Sequence, residues 1–172
     1  ILVQQDLYPD FARRFAERAQ RLTVGDPQDD KTIVGPMISP GHLAKVRSYI
    51  ELGPKEGATL LCGGLDAPEF PSCLISFDDE ADAIAKANDI PYGLSSYVWT
   101  ENLGRAHRVA AAIEAGMCFV NSQNVRDLRQ PFGGTKASGT GREGGTWSYE
   151  VFCEPKNVAV SLGSHHIPHW GV

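Results

Sequence analysis

The chain has 172 residues, with 16 Lys or Arg against 21 Asp or Glu, so its formal net charge is −5. This acidic balance excludes an electrostatic basis for nucleic-acid or membrane-surface binding. Hydrophobic residues make up 42% and charged residues 22%, which excludes a disordered or fibrous protein. The sequence has no run long enough to span a membrane, and we expect the short apolar start at Ile1 not to be a signal peptide. It begins without Met in a predicted strand, and we therefore expect it to be part of a larger protein.

The predicted elements alternate between strands and helices along the chain. A strand at 1–5 precedes a helix at 7–22, a loop at 24–41, a helix from Ser39-Pro40 to about Leu52 and a strand at 58–62. A strand at 73–77, a helix from Asp78 to about Asn88, a turn at 91–93, a strand at 96–100 and a helix at 102–115 follow. A strand at 117–121, a loop at 124–141, a short helix at 143–152, a strand at 158–162 and a polar tail at 163–172 complete the list. The alternation predicts an α/β fold with an open, mostly parallel sheet and flanking helices.

The four cysteines follow no metal-binding or redox spacing. They are Cys62, Cys73, Cys118 and Cys153, and none forms a CxxC pair. Cys73 and Cys118 lie in apolar, strand-like runs, so buried and reduced thiols are the expected state. That interpretation favours a reducing, cytoplasmic location.

A glycine-rich segment, Gly139-Thr-Gly141-Arg-Glu-Gly144, matches the dinucleotide-binding pattern GxGxxG. A dinucleotide site requires a strand immediately before the glycines and an acidic residue about 20 positions later, and neither is present. The overlapping P-loop outline at 134–139 fails because Thr140 stands where lysine is required. We expect the glycines to let the backbone pass closely beside another segment.

The histidine-rich tail is the only candidate metal cluster in the sequence. His165, His166 and His169 are close together, but the tail supplies no carboxylate or thiolate. A solvated terminus is the favoured interpretation, and no metal site is predicted.

A cationic loop follows the predicted strand at 117–121. Two interpretations remain open, an anion-binding pocket beyond the end of a parallel strand or solvated loop charges. The residues concerned are Asn121, Gln123, Asn124, Arg126, Arg129 and Lys136.

Two long motifs carry a family resemblance. Gly116-Met-Cys-Phe-Val-Asn121 and Pro131-Phe-Gly-Gly-Thr-Lys-Ala-Ser-Gly-Thr-Gly-Arg-Glu-Gly144 resemble the C-terminal, catalytic-domain region of the NAD(P)-dependent aldehyde dehydrogenases. Shorter segments at 24–27, 34–39, 83–88, 92–98 and 154–158 agree with the same family. The tail at 161–172 is most similar to the branch that oxidises 5-carboxymethyl-2-hydroxymuconate semialdehyde in homoprotocatechuate degradation.

The resemblance implies that the catalytic groups lie outside this chain. In the family, a cysteine thiolate attacks the aldehyde, hydride passes to NAD, and a glutamate activates the water that releases the acid. The nucleophilic cysteine is expected just before Ile1, with the glutamate and the NAD-binding domain further upstream. A ribose-binding motif, E-E-(I/V)-F-G-P, is also missing near Pro71-Ser72. We therefore expect a deletion there, or residues omitted from the sequence, and no catalytic or cofactor-binding residue in this chain.

The family alignment places residues 122–132 at the mouth of the aldehyde tunnel. Ser122, Arg126, Arg129 and Phe132 are the predicted substrate-binding residues. The two arginines suit a semialdehyde with two carboxylates, because guanidinium groups bind carboxylates bidentately. The alternative is that both arginines are surface charges, one of them neutralised by Asp127.

The resemblance also predicts how the chain is organised. Residues 1–155 would form part of the catalytic domain, and 156–172 a strand and tail that associate with a second subunit. The apolar residues Val158, Val160 and Leu162 alternate there, as in an edge strand that seeks a partner. A homodimer or homotetramer is expected for the complete enzyme. A catalytically inactive fragment that acts only as an association module is the alternative function.

Overall fold

A computed structural model describes residues 1–65 and 73–166 of the chain. It divides into two compact units, Ile1–Ala87 and Asn88–Val172. The helices are α1 (Tyr8–Ala19), α2 (Pro40–Lys55), α3 (Glu80–Asn88), α4 (Leu103–Ala112) and α5 (Trp147–Phe152). The strands are β1 (Leu2–Gln4), β2 (Ile75–Phe77), β3 (Tyr92–Gly93), β4 (Ser95–Val98), β5 (Met117–Val120) and β6 (Thr135–Lys136).

The first unit is built on a parallel pair of strands. β1 and β2 align so that Val3 lies opposite Ser76, and the Ile75 amide donates to the Ile1 carbonyl oxygen at 2.8 Å. Helix α1 packs against β1, and Val3 and Ala12 are buried with 6% of each exposed. Ala12 is the buried residue of this helix, whereas Leu7 and Phe11, which the sequence predicted to lie on its apolar face, are 62% and 38% exposed.

Helix α2 begins as predicted and ends later than predicted. Ser39 is the N-cap, and its hydroxyl oxygen accepts the His42 amide at 3.2 Å. The predicted end at Gly53-Pro54 is wrong, because a proline near the last turn leaves only one carbonyl without its partner. The helix ends instead at Lys55. Gly57 follows two residues later, and its φ of 92° lets the chain turn away from the helix.

The second unit contains the better-covered strand pair. β4 and β5 are parallel, with Tyr97 opposite Phe119, and the two rings stack with centroids 5.4 Å apart. Helix α4 lies against both strands. Ala106 on α4 and Val98 on β4 are the two buried hydrophobic residues described in this unit, with 5% and 9% exposed.

A short antiparallel pair connects two segments that the sequence assigned to a turn and a loop. β3 and β6 pair Tyr92 with Lys136 and Gly93 with Thr135. The predictions of a plain turn at 91–93 and a plain loop at 124–141 are wrong in this respect. Strands of two residues have no alternation to detect, and their pairing depends on a contact between segments that are distant in sequence.

The α/β class with parallel pairing is confirmed, with local differences. The described strands form three two-stranded sheets. The described residues contain no hydrogen-bonded strand at 58–62 or 158–162, because a strand needs a neighbouring backbone and neither segment has one. The expectation of buried Cys73 and Cys118 thiols is also wrong. Cys73 lies before the start of β2 and is exposed, and Cys118 is half-buried because the two-stranded sheet that contains β5 gives it little cover.

Large apolar side chains on several surfaces lack cover within the described part of the chain. Trp99, Leu103 and Leu128 are 67%, 72% and 73% exposed, and Leu162 is 97% exposed. Apolar exposure of this extent is typical of surfaces that meet other chain segments or subunits. In the described ranges, no helix is both long enough and apolar enough to cross a bilayer.

Candidate functional site

The loop that follows β5 is fixed at its start by Asn121. The Asn121 side-chain oxygen accepts the Thr100 amide at 2.9 Å, and its nitrogen donates to the Thr100 carbonyl at 2.8 Å. Its φ of 48° lies in the left-handed region that asparagine tolerates. Asn121 therefore clamps the carboxyl ends of β4 and β5 together, and its amide group is already paired with the Thr100 backbone.

Arg126, Phe132 and Glu143 form a compact cluster. The Arg126 guanidinium lies 4.0 Å from the centroid of the Phe132 ring, and its Nη2 is 2.6 Å from Glu143 Oε1. Phe132 and Glu143 exchange two backbone hydrogen bonds, of 2.7 and 2.8 Å. The ring and the carboxylate are thus held by one bridge, and together they orient the guanidinium by stacking and by charge.

Arg129 forms a separate ion pair within its own turn. Its Nε and Nη2 donate to the two carboxylate oxygens of Asp127 at 2.9 and 2.6 Å, and 88% of the Arg129 side chain is exposed. The hydrogen bonds from the Arg129 side chain and backbone lower the pKa of Asp127 below its ordinary value. This pair matches the predicted alternative, in which Asp127 neutralises one of the two arginines.

The four predicted substrate-binding residues share one stretch of chain. Ser122 is half-buried in the bend after β5, and Phe132 is half-buried in the bridge with Glu143. Arg126 and Arg129 belong to two different ion pairs. Sequence reasoning assigned no role to Glu143, although it lies in the Arg-Glu pair of the glycine-rich motif. The sequence signal that could have identified Glu143 is an acidic residue in a motif that follows a cationic loop.

Lys136 is used inside the protein. Its ammonium donates to the backbone carbonyls of Asn88 and Ile90 at 2.7 and 3.3 Å, and it pairs with Glu114 at 2.6 Å. Only 25% of the side chain is exposed. Of the two interpretations of the cationic loop, an anion pocket that includes Lys136 is therefore disfavoured.

The glycine-rich segment has a packing role. A Cβ on Gly133 would overlap the Gly141 carbonyl, and one on Gly144, whose φ is 98°, would overlap the Gln130 carbonyl. The backbone amides of Gly139 and Gly144 donate to the Lys136 carbonyl and the Ser148 hydroxyl. These two donors are therefore satisfied internally, and the close approaches agree with the prediction that the glycines let the backbone pass beside another segment.

The described residues contain no group of three or more His, Cys, Asp or Glu side chains that would hold a metal ion. His165 and His166 belong to the described part and His169 lies outside it. The prediction that the tail is a solvated terminus stays a prediction.

Comparison with known proteins identifies the family. The aldehyde dehydrogenase family profile matches residues 1–71 and 72–158, which is most of the chain. The chain belongs to the aldehyde dehydrogenase family. The resemblance carried by the motifs at 116–121 and 131–144 is thereby confirmed.

Several relatives of this aldehyde dehydrogenase chain act on muconic semialdehydes by name. It is 46% identical to 5-carboxymethyl-2-hydroxymuconate semialdehyde dehydrogenase from Escherichia coli, over 86% of this chain and 38% of the relative. It is 39% identical to 2-hydroxymuconic semialdehyde dehydrogenase from Pseudomonas sp. strain CF600, over 94% of this chain and 40% of the relative. The chain therefore spans about two fifths of the length of these curated relatives.

Solved structures agree on the fold. HpcC from Thermus thermophilus superposes with a TM-score of 0.87 and 38% identity, over 99% of this chain and 39% of that one. PnpE in complex with nicotinamide adenine dinucleotide superposes with a TM-score of 0.88 and 31% identity, over 98% of this chain and 41% of that one. The two units therefore correspond to part of a larger aldehyde dehydrogenase fold.

Proposed function

We propose that this chain is part of an NAD-dependent dehydrogenase that oxidises a carboxylate-bearing semialdehyde to the acid during aromatic catabolism. 5-Carboxymethyl-2-hydroxymuconate semialdehyde is the proposed substrate. The observation that carries the proposal is the loop after β5, in which Phe132 and Glu143 hold the Arg126 guanidinium at a fixed place. The names of the muconic semialdehyde relatives support the same substrate class.

The proposed role of the loop is to receive the charged end of the aldehyde. Arg126 and Arg129 would bind its carboxylates, because charge-assisted hydrogen bonds are stronger than neutral ones. Phe132 would position the Arg126 guanidinium and line the tunnel beside Ser122. The arginines thus favour anionic aldehydes over neutral ones of the same size.

NAD would supply the hydride acceptor, and the support is a structural relative solved with that dinucleotide. The backbone amides of Gly139 and Gly144 are paired within the protein, and this supports a nucleotide site outside the glycine-rich segment. We therefore place cofactor binding, the nucleophile and the general base outside these 172 residues. We also propose a cytoplasmic location, with free cysteines such as the exposed Cys73 and Cys153 as support.

The junction near Pro71-Ser72 is proposed to be a deletion relative to the family. These two positions lie outside the described residues. The support is that the family profile matches in two pieces that meet at 71 and 72. In addition, the alignment with the E. coli relative extends over 181 positions, more than the 172 residues of this chain. The missing stretch would include the ribose-binding glutamate.

An activity assay tests the proposed function. The full-length protein that contains this chain is expected to form NADH from a dicarboxylate semialdehyde with a higher kcat/KM than from a neutral aldehyde of similar size. The purified 172-residue chain is expected to form none, because the proposal places the reacting groups outside it. The absorbance of NADH, recorded at equal protein concentrations, measures the activity of the full-length protein and of the short chain. No preference in the full-length protein contradicts the substrate class, and NADH formation by the short chain contradicts its inactivity.

A second candidate function is subunit association through residues 156–172. We propose that the boundary with the catalytic-domain part of the chain lies between residues 155 and 156. The observation that favours it is the apolar face of the segment after α5, where Val158 and Val160 are 70% and 72% exposed. An unpaired backbone with alternating apolar residues is suited to strand addition by a neighbouring subunit. The dimer or tetramer expected for the family would then form through this segment.

Deleting residues 157–172 from the full-length protein tests the association. We expect the oligomer to dissociate to smaller species, because the added strand loses both its hydrogen bonds and its apolar contacts. Sedimentation or light scattering gives the mass. Replacing Val160 with lysine in the intact chain is the matched variant and should weaken the oligomer in the same direction. An unchanged mass in both variants would remove the strand from the interface.

A further inference from the structure

The guanidinium of Arg126 already has a carboxylate partner within the chain. Glu143 Oε1 lies 2.6 Å from Nη2, which is one of the donors that a carboxylate uses when it binds a guanidinium. The guanidinium also lies over the Phe132 ring, 4.0 Å from its centroid. An incoming carboxylate therefore has to share the guanidinium with Glu143 or displace it.

The origin of this pair distinguishes it from the pair formed by Arg129. Asp127 and Arg129 are two residues apart on one turn, and their contact follows from local geometry. Glu143 is 17 residues from Arg126 and reaches it because of the backbone bridge between Phe132 and Glu143. The side chains of Arg126 and Glu143 are 41% and 49% exposed, so water and solutes reach both.

We propose that Glu143 is a specificity-determining residue, an internal carboxylate that occupies Arg126 until a substrate carboxylate replaces it. The proposal rests on the proposed function, because it requires Arg126 to meet an anionic aldehyde. An anionic substrate replaces one charge-assisted contact with another, whereas a neutral substrate leaves the internal pair closed. The Phe132 ring keeps the guanidinium in place during the exchange, and water solvates the released Glu143.

The expected strength of the competition follows from exposure. Half-exposed ion pairs are weak, and removing the internal carboxylate should tighten binding of an external one by about two- to fivefold. Glu143→Gln removes the charge with little change in shape and leaves the backbone bridge intact. Glu17→Gln is the matched control, since it removes the carboxylate of an exposed pair, Arg13 with Glu17, outside the proposed binding loop.

The test is an NMR titration of the ¹⁵N-labelled 172-residue chain with adipate, a simple dicarboxylate, at constant ionic strength. The Arg126 Nε–H signal reports the site and is assigned by its loss in Arg126→Lys. Adipamide, which is uncharged, is the control solute. We expect adipate to shift this signal in the unaltered chain and to bind about two- to fivefold more tightly in Glu143→Gln. Its affinity at Arg126 should be unchanged in Glu17→Gln.

The outcomes separate this proposal from the proposed function. If adipate shifts the Arg126 signal equally in the unaltered chain and in Glu143→Gln, the competition is refuted and the role of Arg126 stands. If adipate binds at Arg126 in neither, both fail. If Glu143→Gln disturbs the fold, seen in the amide spectrum, Glu143→Asp retracts the carboxylate by one methylene. Glu143→Asp should then tighten adipate binding at Arg126 by a smaller factor, and unchanged adipate binding would overturn the proposal.

Discussion

Replacing Gly116 with alanine is expected to destabilise the second unit by about 3 kcal/mol or more. The Cβ would overlap the Gly133 carbonyl oxygen, and the Gly134 Cα would be 3.0 Å away. Both obstacles are backbone, so no side chain can turn aside to relieve the overlap. Gly116 also donates its amide to the Gly93 carbonyl at 3.0 Å, which fixes its own position. Strain of this kind is relieved only by separating β5 from the glycine-rich segment.

Gly41→Ala is the matched control, because Gly41 lies in helix α2 with only the Ser39 hydroxyl at 4.0 Å from an added Cβ. Alanine there should be neutral or stabilise the helix by up to about 1 kcal/mol. Urea unfolding followed by circular dichroism compares the two variants. Equal midpoints for Gly116→Ala and the unaltered chain would show that the close approach has no energetic consequence.

Replacing Arg126 with alanine in the full-length protein is expected to lower kcat/KM for the dicarboxylate semialdehyde by about 10- to 150-fold. The loss corresponds to one charge-assisted contact with the substrate. A neutral aldehyde of similar size should lose much less, because it makes no such contact. The stack on Phe132 pre-orients the Arg126 guanidinium, whereas the Arg129 side chain is largely exposed. Arg129→Ala should therefore also lower kcat/KM for the dicarboxylate semialdehyde, but by a smaller factor.

Arg126→Lys is the control for charge alone. Lysine keeps the positive charge but loses the planar fork and the stack, so it should recover only part of the lost activity. Steady-state kinetics with both aldehydes gives the ratio that decides the question. Equal losses on the two substrates would assign Arg126 to the stability of the loop, and no loss on either would leave it a surface charge.

The sequence predicted the elements with a strong period and missed those defined by contacts between distant segments. The apolar spacing of α1 and the capping serine of α2 are local signals, and both helices begin within one residue of their predicted starts. The pairing of β3 with β6 has no local signal, because each strand has two residues. The predicted edge strand at 158–162 has no neighbouring backbone in the described part of the chain.

The candidate site likewise has residues that the sequence identified and contacts that only the structure revealed. Residue types and motifs identified the loop from Ser122 to Phe132, since its arginines precede a specific glycine pattern. They did not reveal that Glu143 pairs with Arg126, because the contact requires the backbone bridge between Phe132 and Glu143. Nor did they separate Lys136 from the other cations. The role of Lys136 depends on the contacts of its ammonium with the backbone carbonyls of Asn88 and Ile90, at and just after the end of α3.

The Lys136 contacts have a consequence for the order in which the second unit assembles. Its ammonium joins the Asn88 carbonyl across 48 residues of sequence, and the strand pair beside it closes a loop of similar size. Contacts of such separation form after local helices, because loop closure costs entropy before any contact is gained. During synthesis, α4 and the β4–β5 pair leave the ribosome before Lys136 does. Lys136 and the glycines that follow it then join parts of the unit that left the ribosome earlier.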